Sequence, residues 1–176
     1  MLFITFIVLG ALIVLVLIIG FLSPRIAKME RSITIKSNPE KAFVQLNSLK
    51  NFVNNWSPWT EKDLKAKHEY NDINEGVGAT YAWEGDPKTV SKGNMEIVES
   101  DSLKVKSSLA FHKRGTAYVS TYIERLSDEE IKVTWDFEAD NGMNPISRIF
   151  GNFMNKFLGP DYETGLSKLK KYLEEN

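Results

Sequence analysis

The stretch Ile131-Lys-Val-Thr-Trp-Asp-Phe137 is the clearest indication of the fold, because apolar and polar side chains alternate along it without interruption. Alternation with a period of two is typical of a β-strand that has one buried face and one solvated face. Strands of this kind belong to antiparallel sheets, in which one face can stay in contact with water. The stretch therefore predicts a strand that points Ile131, Val133, Trp135 and Phe137 toward a core.

Shorter stretches with similar alternation precede this one and are separated by turn signals such as Gly85-Asp-Pro87. Asn38-Pro39-Glu40 interrupts them early, and Asn followed by Pro is typical of a helix start. The order predicted from the sequence is one strand, two short helices and a run of about six antiparallel strands. The predicted strands cover residues 31–36, 68–73, 79–84, 89–99, 103–111, 116–126 and 131–137.

Near the C-terminus the apolar side chains recur at helical spacing, from Ile146 to Leu173. The pattern predicts one long amphipathic helix that is kinked at Pro160, where proline removes a backbone hydrogen bond. A sheet with one apolar face needs a cover, and only this helix is large enough to supply it. We therefore predict an α+β helix-grip fold, in which a curled antiparallel sheet surrounds a long C-terminal helix.

The start of the chain differs from the rest, since residues 2–22 are apolar apart from Thr5, Gly10 and Gly20 and carry no charge. As a helix this run would reach about 30 Å, the thickness of a bilayer's hydrocarbon core. A cleaved signal peptide is the alternative, but it would have a basic residue before a shorter apolar run and small residues at its cleavage site. We predict a retained single-pass transmembrane helix in the cell membrane.

Arg25, Lys28 and Arg31 follow the apolar run, and no basic residue precedes it. By the positive-inside rule, this asymmetry predicts that the C-terminal domain is cytoplasmic. We divide the chain into a transmembrane anchor at residues 1–24, a juxtamembrane linker at 25–30 and a helix-grip domain at 31–176.

The composition excludes several classes of function. The 22 basic and 23 acidic residues give a net charge of −1, whereas nucleic-acid binding needs a basic footprint. The sequence has no cysteine, which excludes disulfides, thiolate catalysis and cysteine-ligated zinc. His68 and His112 are the only histidines, and neither has the spacing of a metal motif. We therefore predict no metal and no cofactor.

Candidates for acid–base chemistry are few. His112 follows an inward-facing position at a strand end and could act as a general base, although a solvated histidine is the simpler interpretation. Asp161 and Glu163 flank Tyr162 and could form an acid pair, but carboxylates also favour a first helical turn for electrostatic reasons. No Ser/His/Asp set is recognisable, so we assign no catalytic residue.

Five motifs stand out in the part of the chain that follows the anchor. They are Trp56-Ser-Pro-Trp59, Gly76-Val-Gly-Ala-Thr-Tyr-Ala-Trp83, Gly93-Asn-Met-Glu-Ile-Val-Glu99, Val133-Thr-Trp135 and Leu158-Gly-Pro-Asp-Tyr-Glu-Thr-Gly-Leu-Ser-Lys-Leu-Lys170. Together they resemble one bacterial branch of the SRPBCC superfamily, also called START-like or polyketide cyclase/dehydratase-like. The resemblance extends over about residues 29–176.

The resemblance implies a hydrophobic cavity between the sheet and the final helix, which members of the superfamily use to bind lipids, polyketides, hormones or other apolar molecules. A few members are cyclases or hydrolases. We expect large inward side chains to line such a cavity, although each of them could instead simply fill the core. The predicted ligand-binding residues are Tyr81, Trp83, Phe111, Trp135, Phe137, Phe150, Phe153, Met154 and Phe157.

The leading interpretation is a domain that binds a hydrophobic or amphipathic, lipid-like molecule and that residues 2–22 tether to the membrane. The tether would keep the cavity close to the bilayer, where such molecules partition. One alternative is a cyclase, dehydratase or hydrolase that acts on a hydrophobic substrate, which needs a buried acid or base. Another is a protein-interaction module at the membrane, which needs an exposed apolar patch.

Overall fold

A seven-stranded antiparallel sheet and a long C-terminal helix form the body of the protein, as the helix-grip prediction requires. The structure is a computed structural model that describes residues 2–111 and 115–176, so the candidate base His112 lies outside the described residues. The strands are β1 (Ile26–Ile35), β2 (Lys67–Tyr70), β3 (Thr80–Glu84), β4 (Lys92–Asp101), β5 (Lys104–Phe111), β6 (Gly115–Arg125) and β7 (Ile131–Asp140). The helices are α1 (Leu2–Leu22), α2 (Pro39–Leu46), α3 (Leu49–Asn51), α4 (Pro145–Gly151) and α5 (Met154–Glu175).

The strands lie in the order β1-β7-β6-β5-β4-β3-β2. Strand β7 therefore has a neighbour on each side, with Trp135 opposite Arg31 of β1 and Thr121 of β6. Its inward side chains are all buried, which confirms the alternation predicted for residues 131–137. A strand that pairs on both edges and covers a core on one face has to alternate strictly, and this is why its sequence is so clear.

The juxtamembrane linker predicted at residues 25–30 is wrong, because β1 begins at Ile26 and its first residues pair with the end of β7. Ala27 and Met29 point inward, whereas Lys28 on the outer face forms an ion pair with Glu138. Hydrogen bonds from Arg25, with one from the Gly142 backbone, lower the pKa of Asp140 to about 2. Only three residues, 23–25, therefore separate α1 from the sheet.

The single long helix predicted from Ile146 onward is also wrong, since the chain turns at Asn152 and Phe153 between α4 and α5. The turn is not at Pro160, which lies inside α5. Helix α4 packs mainly against α1 and makes a smaller contact with β1. The apolar stripe of residues 146–158 therefore belongs to two helices with different neighbours.

Helix α5 covers the sheet through Tyr162, Leu166, Leu169 and Leu173, which recur at helical spacing and are buried. Gly165 lies on the same face and permits close contact, because a Cβ atom at this position would stand 2.9 Å from Cζ3 of Trp135. The absence of a side chain at Gly165 thus lets α5 pack closely on β7 and β1.

Helix α1 is long and apolar enough to cross a membrane, a property that a single-pass anchor shares with a signal sequence. Most of its side chains are exposed, but its last turn contacts α4. A side chain at Gly20 would overlap Pro145, and the buried Arg148 donates a hydrogen bond of 3.3 Å to the carbonyl of Phe21. The amide of Asn152 donates a hydrogen bond of 3.0 Å to Oγ of Ser23.

Candidate ligand-binding cavity

A cavity of about 320 Å³ lies between the inner face of the sheet, the first half of α5 and the segments 57–66 and 87–91. This volume is at the lower end of the range typical of small-molecule sites. Its walls are mainly apolar and aromatic. The apolar and aromatic lining residues are Phe52, Trp59, Ala66, Tyr81, Trp83, Pro87, Val90, Met95, Leu109, Phe111, Val119, Trp135, Phe137, Leu158 and Tyr162.

The structure brings together the predicted site residues that come from the sheet. Tyr81 and Trp83 project from β3, Phe111 from the end of β5, and Trp135 and Phe137 from the middle of β7. They share one face because inward residues alternate along each strand and the register aligns the strands. These five residues are Tyr81, Trp83, Phe111, Trp135 and Phe137.

The structure does not place the predicted helical residues in the cavity. Phe150, Phe153 and Phe157 are 58%, 47% and 58% exposed, and Met154 packs on the core outside the cavity wall. The prediction that these four residues line the cavity is therefore wrong. The reason is the turn after α4, which gives this part of the chain α1 as its neighbour and leaves its phenylalanines on the outer surface.

The sequence interpretation missed residues that form the wall opposite the sheet, chiefly Phe52, Trp59, Leu158 and Tyr162. Tyr162 and Leu158 lie in the predicted helical stripe, and the phase of the buried leucines in α5 would have identified them. Trp59 belongs to Trp56-Ser-Pro-Trp59, but the sequence alone gives no signal of where that segment folds.

An aromatic cluster forms the floor of the cavity around Trp135. Its ring stacks on Tyr162 with centroids 3.8 Å apart, and Phe52, Trp56 and Trp59 make edge contacts with it at 5.2–5.9 Å. Such offset and edge-to-face pairs add stabilisation beyond that of apolar burial. The floor is therefore closely packed, and the free volume lies above it toward Trp83 and Phe111.

Charged groups line one side of the cavity. Asp161 of α5 accepts a hydrogen bond of 2.9 Å from Nε1 of Trp59 and forms an ion pair with Lys62. Glu163 turns away from this site and pairs with Arg31, at 2.7 Å from its Nε. The acid pair considered from the sequence is therefore split, with one carboxylate at the cavity and the other on the outer side of the helix.

A polar pair lies on the β2–β3 side of the cavity, where Nδ1 of His68 and the hydroxyl of Tyr81 are 2.9 Å apart. Burial raises the pKa of Tyr81, and Tyr70 nearby raises it further. Burial also raises the pKa of Tyr162 well above its ordinary value. Both tyrosines therefore stay neutral near pH 7, able to donate a hydrogen bond to an acceptor on a ligand.

No group of three or more potential metal ligands is present in the described residues. The cavity combines aromatic walls with a few polar groups in its lining, namely Lys62, Asp161 and the His68–Tyr81 pair. This arrangement suits a molecule that has an apolar body and one polar or charged end.

The sequence of residues 27–174 matches the family model for polyketide cyclase / dehydrase and lipid transport. The chain belongs to this family. The match takes in β1, whose start the sequence interpretation placed in a linker, and extends almost to the end of α5. No curated protein matches the sequence.

Solved structures share the fold of this chain. Truncated norcoclaurine synthase from Thalictrum flavum superposes with a TM-score of 0.62 at 11% identity, over 88% of this chain and 98% of that one. A Thermobifida fusca protein solved by NMR gives 0.62 at 14% identity, over 85% and 94%. The di-domain ARO/CYC StfQ of the steffimycin biosynthetic pathway gives 0.61 at 9% identity over 85% of this chain, which spans about half of StfQ (51%). At these identities the likeness shows the fold.

Family and fold together support a hydrophobic ligand-binding or cyclase-like role for the protein. The family description names both polyketide cyclase or dehydrase activity and lipid transport. The choice between them depends on what the cavity of this chain holds.

Proposed function

We propose that the protein binds a lipid-like molecule in the cavity between its sheet and α5, and that α1 is a retained anchor that tethers this domain to the cytoplasmic face of the cell membrane. The observation that carries the binding proposal is the composition of the cavity, whose lining is mainly aromatic and also contains Lys62, Asp161 and the His68–Tyr81 pair. The aromatic walls would hold the acyl or isoprenoid part of a ligand, and the polar groups would bind its head.

The retained anchor is supported by the junction between α1 and the domain. Strand β1 begins at Ile26 and leaves three residues for a spacer, and Gly20-Phe-Leu-Ser-Pro24 does not match the small-residue pattern of a signal-peptide cleavage site. The hydrogen bonds from Arg148 to Phe21 and from Asn152 to Ser23 join the last turn of α1 to α4. Arg25 and Lys28 just beyond the helix support the cytoplasmic orientation.

The size of the cavity sets the affinity to expect. Burial of about 300 Å² of apolar ligand surface at about 25 cal/mol per Å² contributes roughly 7–8 kcal/mol before the costs of association. Because those costs amount to several kcal/mol, a very small ligand would bind weakly, and a chain of lipid character is needed for micromolar affinity.

An enzymatic role is the second candidate, and the His68–Tyr81 pair is the observation that favours it. A cyclisation or dehydration needs a positioned acid or base, and this pair lies in the cavity wall. We rank binding above catalysis because the carboxylate of Asp161, the other candidate acid–base group at the cavity, is already engaged by Lys62 and Trp59.

Binding can be tested with bromoundecanoic acid, whose bromine quenches tryptophan emission on contact. Trp59, Trp83 and Trp135 line the cavity, and Trp56 packs against Trp135. We expect the probe to quench the emission of a truncated protein of residues 23–176 saturably, with a Kd in the micromolar range and one site per chain. Circular dichroism should first show that this protein is folded. Emission that falls only linearly with probe concentration would contradict binding in the cavity.

A further inference from the structure

An apolar patch on α4 and the start of α5 is unexplained by the cavity. Its side chains are each about half exposed or more. Contiguous exposed patches of this kind mark sites that contact a partner or a membrane. The apolar patch consists of Met143 (70% exposed), Ile146 (56%), Phe150 (58%), Phe153 (47%) and Phe157 (58%).

The position of the apolar patch follows from the contacts of α4 with α1. Pro145 lies against Gly20, and Arg148 reaches the carbonyl of Phe21, so α4 sits beside the last turn of α1. The apolar run of α1 ends at Leu22. If α1 spans a bilayer, its last turn lies at the boundary between hydrocarbon and headgroups, and α4 lies at the same level.

The charges around the apolar patch favour a membrane as its partner. Residues 141–160 contain no Asp or Glu, although the whole chain has 23 of them. The segment has two basic residues, of which Arg148 is buried beside α1 and Lys156 is exposed between Phe153 and Phe157 in sequence. Large apolar side chains with basic but no acidic neighbours are typical of segments that lie in the interface of anionic bilayers.

The register of the sheet places the cavity at this same end of the domain. Across the sheet, Ala27 of β1 is opposite Ala139 of β7, which is opposite Ala117 of β6. Ala117 is in turn opposite Leu109 of β5. Two residues closer to the same end of the sheet, Phe111 of β5 pairs with Gly115 of β6 and with Gly93 of β4. The β3–β4 turn that lines the cavity, residues 87–91, is therefore at the end of the sheet where α1 joins it.

We propose that the apolar patch enters the headgroup region of the bilayer that α1 crosses and holds the cavity end of the domain against the membrane surface. This proposal rests on the tether proposed above. The phenylalanines of the patch replace water contacts with lipid contacts, and Lys156 faces anionic headgroups. The domain is then docked on the membrane that its own α1 crosses. Leu158 and Asp161 of the cavity wall follow the apolar patch directly on α5.

The absence of cysteine allows a direct test, because each introduced cysteine is a unique labelling site. Single variants Phe150→Cys and Phe153→Cys report on the patch, and Leu103→Cys and Leu126→Cys, 49% and 46% exposed at the opposite end of the sheet, are matched controls. Each full-length variant is labelled with a fluorophore and reconstituted in vesicles that contain anionic phospholipid with nitroxide-labelled headgroups or unlabelled lipid. We expect the nitroxide to lower the emission of the patch labels at least about twofold and to leave the control labels nearly unchanged.

Three results would overturn the proposal, and they identify what failed. Patch labels that are unquenched while the protein stays in carbonate-washed membranes would leave the tether intact and exclude docking on lipid. Cross-linking of Phe150→Cys to a second chain, without quenching by lipid, would assign the patch to a dimer. Release of the Leu103→Cys protein by carbonate would show that the tether itself fails. Reaction of Leu103→Cys with an impermeant maleimide only after cell lysis is the result expected for a cytoplasmic domain.

Discussion

Replacement of Trp135 by alanine should lower the free energy of unfolding by about 3–5 kcal/mol. The side chain is 2% exposed, stacks on Tyr162 and is surrounded by the edges of three further aromatic rings. Its removal deletes a large buried surface, and the cluster cannot close the space without moving α5. Urea denaturation of the full-length protein in mild detergent, followed by the emission of the three remaining tryptophans, measures the change.

The matched control for this prediction is Phe153→Ala, which removes an aromatic ring that is 47% exposed. We expect this change to cost less than about 1 kcal/mol, since surface substitutions away from packed features have small effects. Equal losses for the two variants would contradict the placement of Phe153 outside the core. A small loss for Trp135→Ala would mean that the floor of the cavity is not closely packed.

Val119→Trp should raise the Kd for bromoundecanoic acid at least about tenfold, which corresponds to about 1.4 kcal/mol of binding free energy. Val119 is buried and points from β6 into the cavity, so a tryptophan there takes up space that the ligand needs. The measurement is the quenching titration with residues 23–176.

The control for the cavity-filling variant is Tyr118→Trp on the same strand. Tyr118 faces outward and is 42% exposed, so this variant has the same number of tryptophans but an unchanged cavity. We expect it to bind the probe as the unsubstituted protein does. If Val119→Trp bound the probe as tightly as the unsubstituted protein does, the probe would have to bind outside the cavity. That result would contradict the cavity as the ligand-binding site.

The sheet could be predicted from the sequence because the alternation of apolar and polar residues within each strand shows which of its faces is buried. In residues 131–137 every second side chain is apolar, and the structure buries each of them against the core. Five of the nine predicted ligand-binding residues lie on such strands, and all five line the cavity. A period of two leaves only one choice of face once a core is assumed.

The helical part of the site could not be predicted in this way, because its neighbours are remote in sequence. Phe150, Phe153 and Phe157 share a helical spacing with Tyr162, which suggested a single face of a single helix. Spacing does not tell whether an apolar face packs on a sheet, on another helix or on a membrane. Here the turn at Asn152 and the docking of α4 on α1 separate the two sets.

The start of β1 was missed for a related reason. Arg25 and Lys28 lie in the stretch predicted as a linker, whereas Arg31 was already the first residue of the predicted strand. In the structure Lys28 also belongs to β1, and it pairs with Glu138 on the outer face of the sheet. A charged side chain on the outer face of an edge strand is compatible with sheet pairing. The two inward side chains, Ala27 and Met29, are only a weak sequence signal that a strand begins here. The consequence for function is a short connection, which keeps the domain close to the end of α1.

Native mass spectrometry of the full-length protein, extracted from membranes in mild detergent and not delipidated, tests the central claim most directly. We predict a species heavier than the chain by the mass of one lipid-like molecule, which persists in Tyr118→Trp and is lost in Val119→Trp. A heavier species that remained in Val119→Trp would place the molecule outside the cavity. A protein that carried no added mass in any of the three preparations would contradict the claim that the cavity holds a lipid-like ligand.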